Sequence, residues 1–133
     1  GALISACGAG IVSLAIIDVD NFKAINDVHS HLVGDAVLKR LAEVLSAQIR
    51  PSDLVARYAG DEFVLVLPGL DAAAAESLRV RVQHATDHEH WEHIAPGLTV
   101  TTSIGLATGV GRDGLWPMFA DADAALYDAK RAC

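Results

Sequence analysis

Apolar residues follow two rhythms along this chain. Ile11 to Ile17 is a short, nearly unbroken run of β-branched and aliphatic residues between Gly10 and Asp18-Val19-Asp20. A strand buried on both faces reads this way, so the run is predicted to be the central strand of a sheet. After Asp20, which has the chemistry of an N-cap, Phe22, Ile25 and Val28 recur at helical spacing and predict a short helix over Asn21 to Ser30. His29 to Gly34 breaks the rhythm, and Asp35 opens a longer helix reaching Ile49. That helix carries Val37, Leu38, Leu41, Val44, Leu45 and Ile49 on one stripe, and Pro51 stops it. Leu54 to Tyr58 and Phe63 to Leu67 are apolar runs separated only by Ala59 to Glu62, which is a hairpin signal. So short a turn calls for a residue of positive φ, assigned to Gly60, with Asp61 and Glu62 starting the second strand and pointing to opposite faces.

Beyond the hairpin, Asp71 is placed to cap an Ala-rich helix that runs into a His-rich segment, His84 to His93. Pro96-Gly97 turns the chain. Leu98 to Ala107 is a further strand, Gly109 to Gly114 a loop, and Met118 to Ala132 a last helix. Gly1 to Gly10 shows no periodicity and reads as loop or weak helix. The order β-α-α-β-β-α-β-α, without repeats, predicts one α+β domain over residues 1–133. Its ferredoxin-like sheet would contain antiparallel strands and carry helices on its faces.

Composition narrows the function. With 133 residues, 52% of them apolar, and a mean hydropathy of +0.33, the chain suffices for a two-layer core. Ten Lys and Arg face 17 Asp and Glu, so no basic surface exists to steer DNA or RNA, and nucleic acid is excluded as a partner. An anionic substrate would have to be held by metal ions or a few local cations. Cys7 and Cys133, far apart, form neither a disulfide framework nor a zinc site, and a reducing cytosol is expected. No apolar run reaches the ~20 residues of a membrane helix. Starting at Gly1 without Met, the chain reads as a fragment of a longer protein.

The acids then draw attention. Asp18 and Asp20 stand two apart at the end of the central strand, where a period of two puts both carboxylates on one face. They read as ligands for a hard cation, or, for Asp20, as the N-cap of the next helix. Asp61 and Glu62, taken alone, are an acidic turn blunting a sheet edge. If the hairpin lies beside the first strand, Asp18 and Asp61 would bracket one or two Mg²⁺ ions able to bridge phosphate oxygens.

Together, Asp18-Val19-Asp20-Asn21-Phe22-Lys23, Asn26-Asp27, Gly34-Asp35 and Arg57-Tyr58-Ala59-Gly60-Asp61-Glu62-Phe63 resemble the GGDEF family of diguanylate cyclases. Ser103-Ile104-Gly105 and Asp123 to Lys130 resemble its closing strand and helix, so the likeness covers nearly the whole chain. The first signature residue is Ala59 in place of the usual Gly, and Ser30 stands where Gly is usual. The resemblance implies a palm-type sheet related to nucleotidyl cyclase catalytic domains. It also implies condensation of two GTP into cyclic di-GMP by two domains meeting as an antiparallel homodimer, with an N-terminal sensor or regulatory domain in the full protein. Asp18, the Val19 carbonyl, Asp61 and Glu62 would hold Mg²⁺ or Mn²⁺, with Asp61, Glu62 and Lys23 as catalytic groups. Glu62 is either a further ligand or the proton acceptor. Lys23 and Lys130 would lie near the phosphates, and Phe22 and Gly60 beside the nucleotide. Localisation would be cytoplasmic, with a membrane-bound sensor as a compatible attachment.

Asn26 and Asp35 match the family's guanine-binding pair. An ionised Asp35 only accepts hydrogen bonds, and guanine offers N1–H and N2–H₂ donors that adenine lacks. A carboxylate left unpaired against adenine would cost about 1–3 kcal/mol. Arg50-Pro51-Ser52-Asp53, locally an ordinary helix stop, resembles the family's inhibitory site for cyclic di-GMP, with Arg81 as its partner arginine. Two other readings compete. A catalytically silent module binding GTP or cyclic di-GMP would lack turnover, and a purine cyclase making a cyclic mononucleotide would lack the guanine pair. The segment His84, His88, His90 and His93 reads as a polar loop ahead of a zinc site. Trp91 and Trp116 read as packing residues.

Overall fold

The computed structural model describes residues 10–131; the expectations for residues 1–9 and for Ala132 and Cys133 lie outside them. β1 (Ile11–Val19) leads to α1 (Phe22–Val28) and α2 (His31–Gln48). The hairpin β2 (Leu54–Ala59) and β3 (Glu62–Pro68) follows, then α3 (Ala72–Asp87), β4 (Thr102–Val110) and α4 (Trp116–Arg131). Short 3₁₀ turns at Trp91–His93 and Gly111–Asp113 flank β4. The four strands lie in the order β2-β3-β1-β4, every neighbouring pair antiparallel. This is the α+β arrangement that the alternation of strands and helices predicted.

The unbroken apolar run of β1 has a two-sided explanation. Ala15, Ile17 and Val19 join a large core with Val37, Leu38, Leu41 and Leu45 of α2 and Leu78 and Val82 of α3. Val12, Leu14 and Ile16 face the other way, into a smaller core with Met118, Ala122 and Leu126 of α4. The same alternation runs through β3, where Phe63, Leu65 and Leu67 join the first core and Val64 and Val66 the second. By register, Asp18 pairs with Glu62 on one side and Ser103 on the other, so the polar ends of three strands gather at one rim.

Four local expectations are corrected. Asp20 does not cap α1; Asn21 occupies the N-cap position at φ 52° without a side-chain cap, a conformation Asn tolerates better than most residues. α2 begins at His31, four residues before Asp35, because the Ser30 hydroxyl accepts from the Val33 amide at 3.1 Å. Gly60 has no positive φ; the hairpin instead absorbs its turn with a register shift between Arg57 and Ala59. The fourth strand starts at Thr102 and runs on to Val110, although Leu98 and Val100 before it are buried. Asp71 caps α3 as expected, accepting from the Ala74 amide at 2.9 Å.

Candidate functional site

Because β1 and β3 are neighbours, the hairpin turn stands beside the end of the central strand, and the Val19 amide donates to the Asp61 carbonyl at 3.2 Å. Asp61 is the turn acid that faces Asp18. Glu62, the first residue of β3, feels Asp61, Asp123 and Lys130. The Asp18 carboxyl is pushed up to about 6, chiefly by burial, with Asp61 raising it further and Lys130 opposing the rise. Burial likewise raises Glu62, helped by Asp61 and Asp123 and opposed by Lys130. Asp20 behaves differently. It loses solvation too, but hydrogen bonds from Ser103, Lys130 and Thr101 outweigh that and hold it below the usual carboxylate range.

Lys130, from the last turn of α4, lies 3.2 Å from Asp18 Oδ2 and 3.0 Å from Asp20 Oδ1. Sequence reasoning missed Thr101 and Ser103 here. Their hydroxyls donate to Asp20 Oδ2 at 2.9 Å and Oδ1 at 2.7 Å, and the alternation Thr101, Ser103, Gly105 along one strand face was the available signal. Lys23 is exposed on α1, with no bond to these acids. Among the described residues no three His, Cys, Asp or Glu side chains already converge as a metal cage, the His-rich segment included. There, His84 and His88 stack 3.9 Å apart, while a forked Arg40–Glu89 pair ties the segment to α2. Trp91 is buried and donates to the Thr86 carbonyl, as a packing residue should; Trp116 does not pack inside but is 75% exposed against Phe119.

A second group forms where α1 meets α2. Asn26 and Phe22 both crowd Gly34, and Asp35 stands one residue on, at the exposed surface. Among the described residues, two buried side-chain oxygens lack a hydrogen-bond partner: Asp18 Oδ1 and Asn26 Oδ1. Such groups are costly unless something completes them. Asp18 Oδ1, an acceptor beside a second carboxylate, fits a hard divalent cation.

Further along the fold, Arg50 and Asp53 bond each other through Nη2 and Oδ1 at 2.6 Å, and Arg50 also donates to the Pro68 carbonyl. Arg81 reaches the same end of α2, donating to the Gln48 carbonyl at 3.2 Å. No helix among the described residues is long and apolar enough to cross a membrane.

The family described as "Diguanylate cyclase, GGDEF domain" matches residues 5–133. Diguanylate cyclase DgcP of Pseudomonas aeruginosa is 39% identical over 123 residues, 92% of this chain and 18% of its own. Diguanylate cyclase DgcM of Escherichia coli is 43% identical over 122 residues, 89% of this chain and 28% of its own. The chain thus spans less than a third of the length of these two relatives. Among solved structures, the GGDEF domain of DgcB from Caulobacter crescentus in complex with c-di-GMP superposes with a TM-score of 0.84 at 28% identity, covering 98% of this chain and 79% of that one. The GGDEF domain of PA1120 from Pseudomonas aeruginosa gives 0.84 at 31% identity, covering 98% and 86%.

Proposed function

This chain belongs to the GGDEF family of diguanylate cyclase domains, and from that premise we propose that residues 1–133 form one such domain, cut from a longer protein, that condenses two GTP into cyclic di-GMP and pyrophosphate. The observation that carries this reading is the pair of orphaned oxygens. The two buried acceptors without partners among the described residues, Asp18 Oδ1 and Asn26 Oδ1, fall on residues assigned to one nucleotide, one at its metal end and one at its base.

Asp18 and Asp61, with the Val19 carbonyl, would hold Mg²⁺ or Mn²⁺. A bound divalent cation would neutralise charge developing on the attacked α-phosphate. Glu62, made more basic by burial and by Asp61, accepts the proton of the attacking 3′-hydroxyl. Lys130 and Lys23 supply point charges for the phosphates. At the base, Asp35 and the Asn26 oxygen accept from guanine donors, with Phe22 on the same side of Gly34 as Asn26. Gly60 leaves open space above the turn, where even a Cβ would touch nothing, so a phosphate reaches the backbone. Each domain holds one GTP, so turnover needs an antiparallel homodimer. Arg50, Asp53 and Arg81 form the site through which cyclic di-GMP inhibits its own synthesis.

The test is to force the domain into dimers, supply GTP and Mg²⁺, and identify the products by mass. Cyclic di-GMP is expected. Intact GTP binding without that product would reject the enzyme and leave a silent nucleotide-binding module.

A further inference from the structure

Lys130 bridges two carboxylates that are not equivalent. Asp20 is saturated: Oδ1 accepts from Ser103 and Lys130, Oδ2 accepts from Thr101, and the backbone amide donates to the Thr101 carbonyl at 2.9 Å. Asp18 offers Lys130 one oxygen, while its other oxygen is buried and unpartnered, and Asp61 acts on the same carboxyl. Glu62 and Asp123 add further negative charge nearby. Half-buried like charges gathered at one rim repel unless a cation stands among them. In this structure the cation in contact with both Asp18 and Asp20 is Lys130.

We propose that Lys130 is the resident cation of this rim, joining Asp18 to Asp20 in the metal-free protein, and that a divalent cation takes Asp18 from it while Asp20 keeps it. The proposal rests on the assignment of Asp18 and Asp61 as metal-binding carboxylates. Its asymmetry follows from the bonding. Asp20 has its hydroxyl partners and Lys130 already in place, and a newcomer gains little there. Asp18 Oδ1 is the open acceptor, on a carboxyl that Asp61 also approaches. Two consequences follow from linkage. The ammonium stabilises the metal-free fold, and by competing for Asp18 it weakens metal binding by the corresponding factor. Asp20 is then a positioning residue: it seats Lys130 at the rim in both states, so the charge remains where the phosphates would lie.

The experiment measures Mn²⁺ binding by the nucleotide-free protein, using calorimetry and the spin-resonance signal of free Mn²⁺, for the natural chain, Lys130→Met and Lys130→Arg. Lys130→Met should bind Mn²⁺ about tenfold more tightly and, in chelator, melt at a lower temperature than the natural chain. Lys130→Arg, which keeps the charge, should stay close to the natural chain in both respects. A folded Lys130→Met with unchanged Mn²⁺ affinity overturns the proposal alone. Absence of Mn²⁺ binding in all three proteins overturns the metal assignment and the proposal with it. A measurement on the unaltered chain is independent of any variant's folding: the Lys130 ammonium resonance should shift when Mg²⁺ binds, and a resonance that stays put while Mg²⁺ binds overturns the displacement.

Discussion

Gly34 and Asn26 compete for one space. A Cβ at residue 34 would fall on the Asn26 side-chain oxygen, 2.9 Å from its Cγ and 3.1 Å from Phe22 Cζ. The missing side chain in the first turn of α2 is therefore what lets the Asn26 carboxamide lie buried between the helices. Elsewhere in a helix, Gly→Ala stabilises by about 1 kcal/mol. Here the substitution should push Asn26 aside. Gly34→Ala is expected to raise KM for GTP tenfold or more with a smaller change in kcat, in a protein whose circular dichroism stays native. An unchanged KM would separate Asn26 from base recognition.

Asp18 illustrates a cost that the rim bears for its chemistry. Its carboxyl, at about 6 in the folded protein against an ordinary 3.8, holds its proton more tightly folded than unfolded. Stability therefore falls as pH rises between those two values, and remains lowered above them. Asn cannot ionise. In chelator at pH 8, Asp18→Asn should be more stable than the natural chain by on the order of 1 kcal/mol, allowing for solvent screening at a partly exposed site. The advantage should vanish below about pH 4, and the variant should lose Mn²⁺ binding. Melting curves across pH decide the matter. A less stable variant at pH 8 would mean that the Lys130 pair outweighs burial.

The large features of this fold were legible because they are local or periodic. The run Ile11 to Ile17 announced a strand buried on both faces, and the stripe from Val37 to Leu45 announced the helix that covers one of them. Asp20 was read as a helix cap because an Asp before helical spacing usually is one. Its true partners, Thr101, Ser103 and Lys130, lie 81, 83 and 110 residues away, and no local pattern carries that information. Gly60 was given a positive φ from turn length alone, whereas the register shift in β2 supplies the bend. Trp116 was read as a packing residue from its type, yet α4 turns it outward beside Phe119. In each case tertiary geometry overrode a sound local preference.

Arg50 can leave its pair at modest cost. Its guanidinium is half-exposed, while the Asp53 side chain is 2% exposed and keeps a bond from the Arg50 backbone amide at 2.9 Å whatever side chain stands at 50. Arg50→Ala is therefore expected to destabilise by no more than about 1 kcal/mol. Binding of cyclic di-GMP should nevertheless weaken by tenfold or more, because a planar fork for phosphate and purine is lost. Calorimetric titration reads this directly, and an unchanged affinity would reject the inhibitory-site assignment.

Two glycines of β4 separate the packing of α4 from the general tolerance of the strand. At Gly105 a Cβ would strike the Ala122 carbonyl and the Leu126 amide, and lie 2.9 Å from Leu126 Cα. Those are backbone atoms, which cannot swing aside, so the helix itself must lift from the sheet. At Gly109 the nearest atoms belong to the Met118 side chain, at 3.1 Å, and an unbranched thioether yields readily. Gly105→Ala should thus cost about 3 kcal/mol of stability in denaturant unfolding, and Gly109→Ala less than about 1 kcal/mol. Lifting α4 also withdraws Lys130 from Asp18 and Asp20, so folded Gly105→Ala should reproduce the tighter Mn²⁺ binding expected of Lys130→Met. Equal costs at the two positions would show that direct contact at Gly105 does not set the distance between α4 and the sheet.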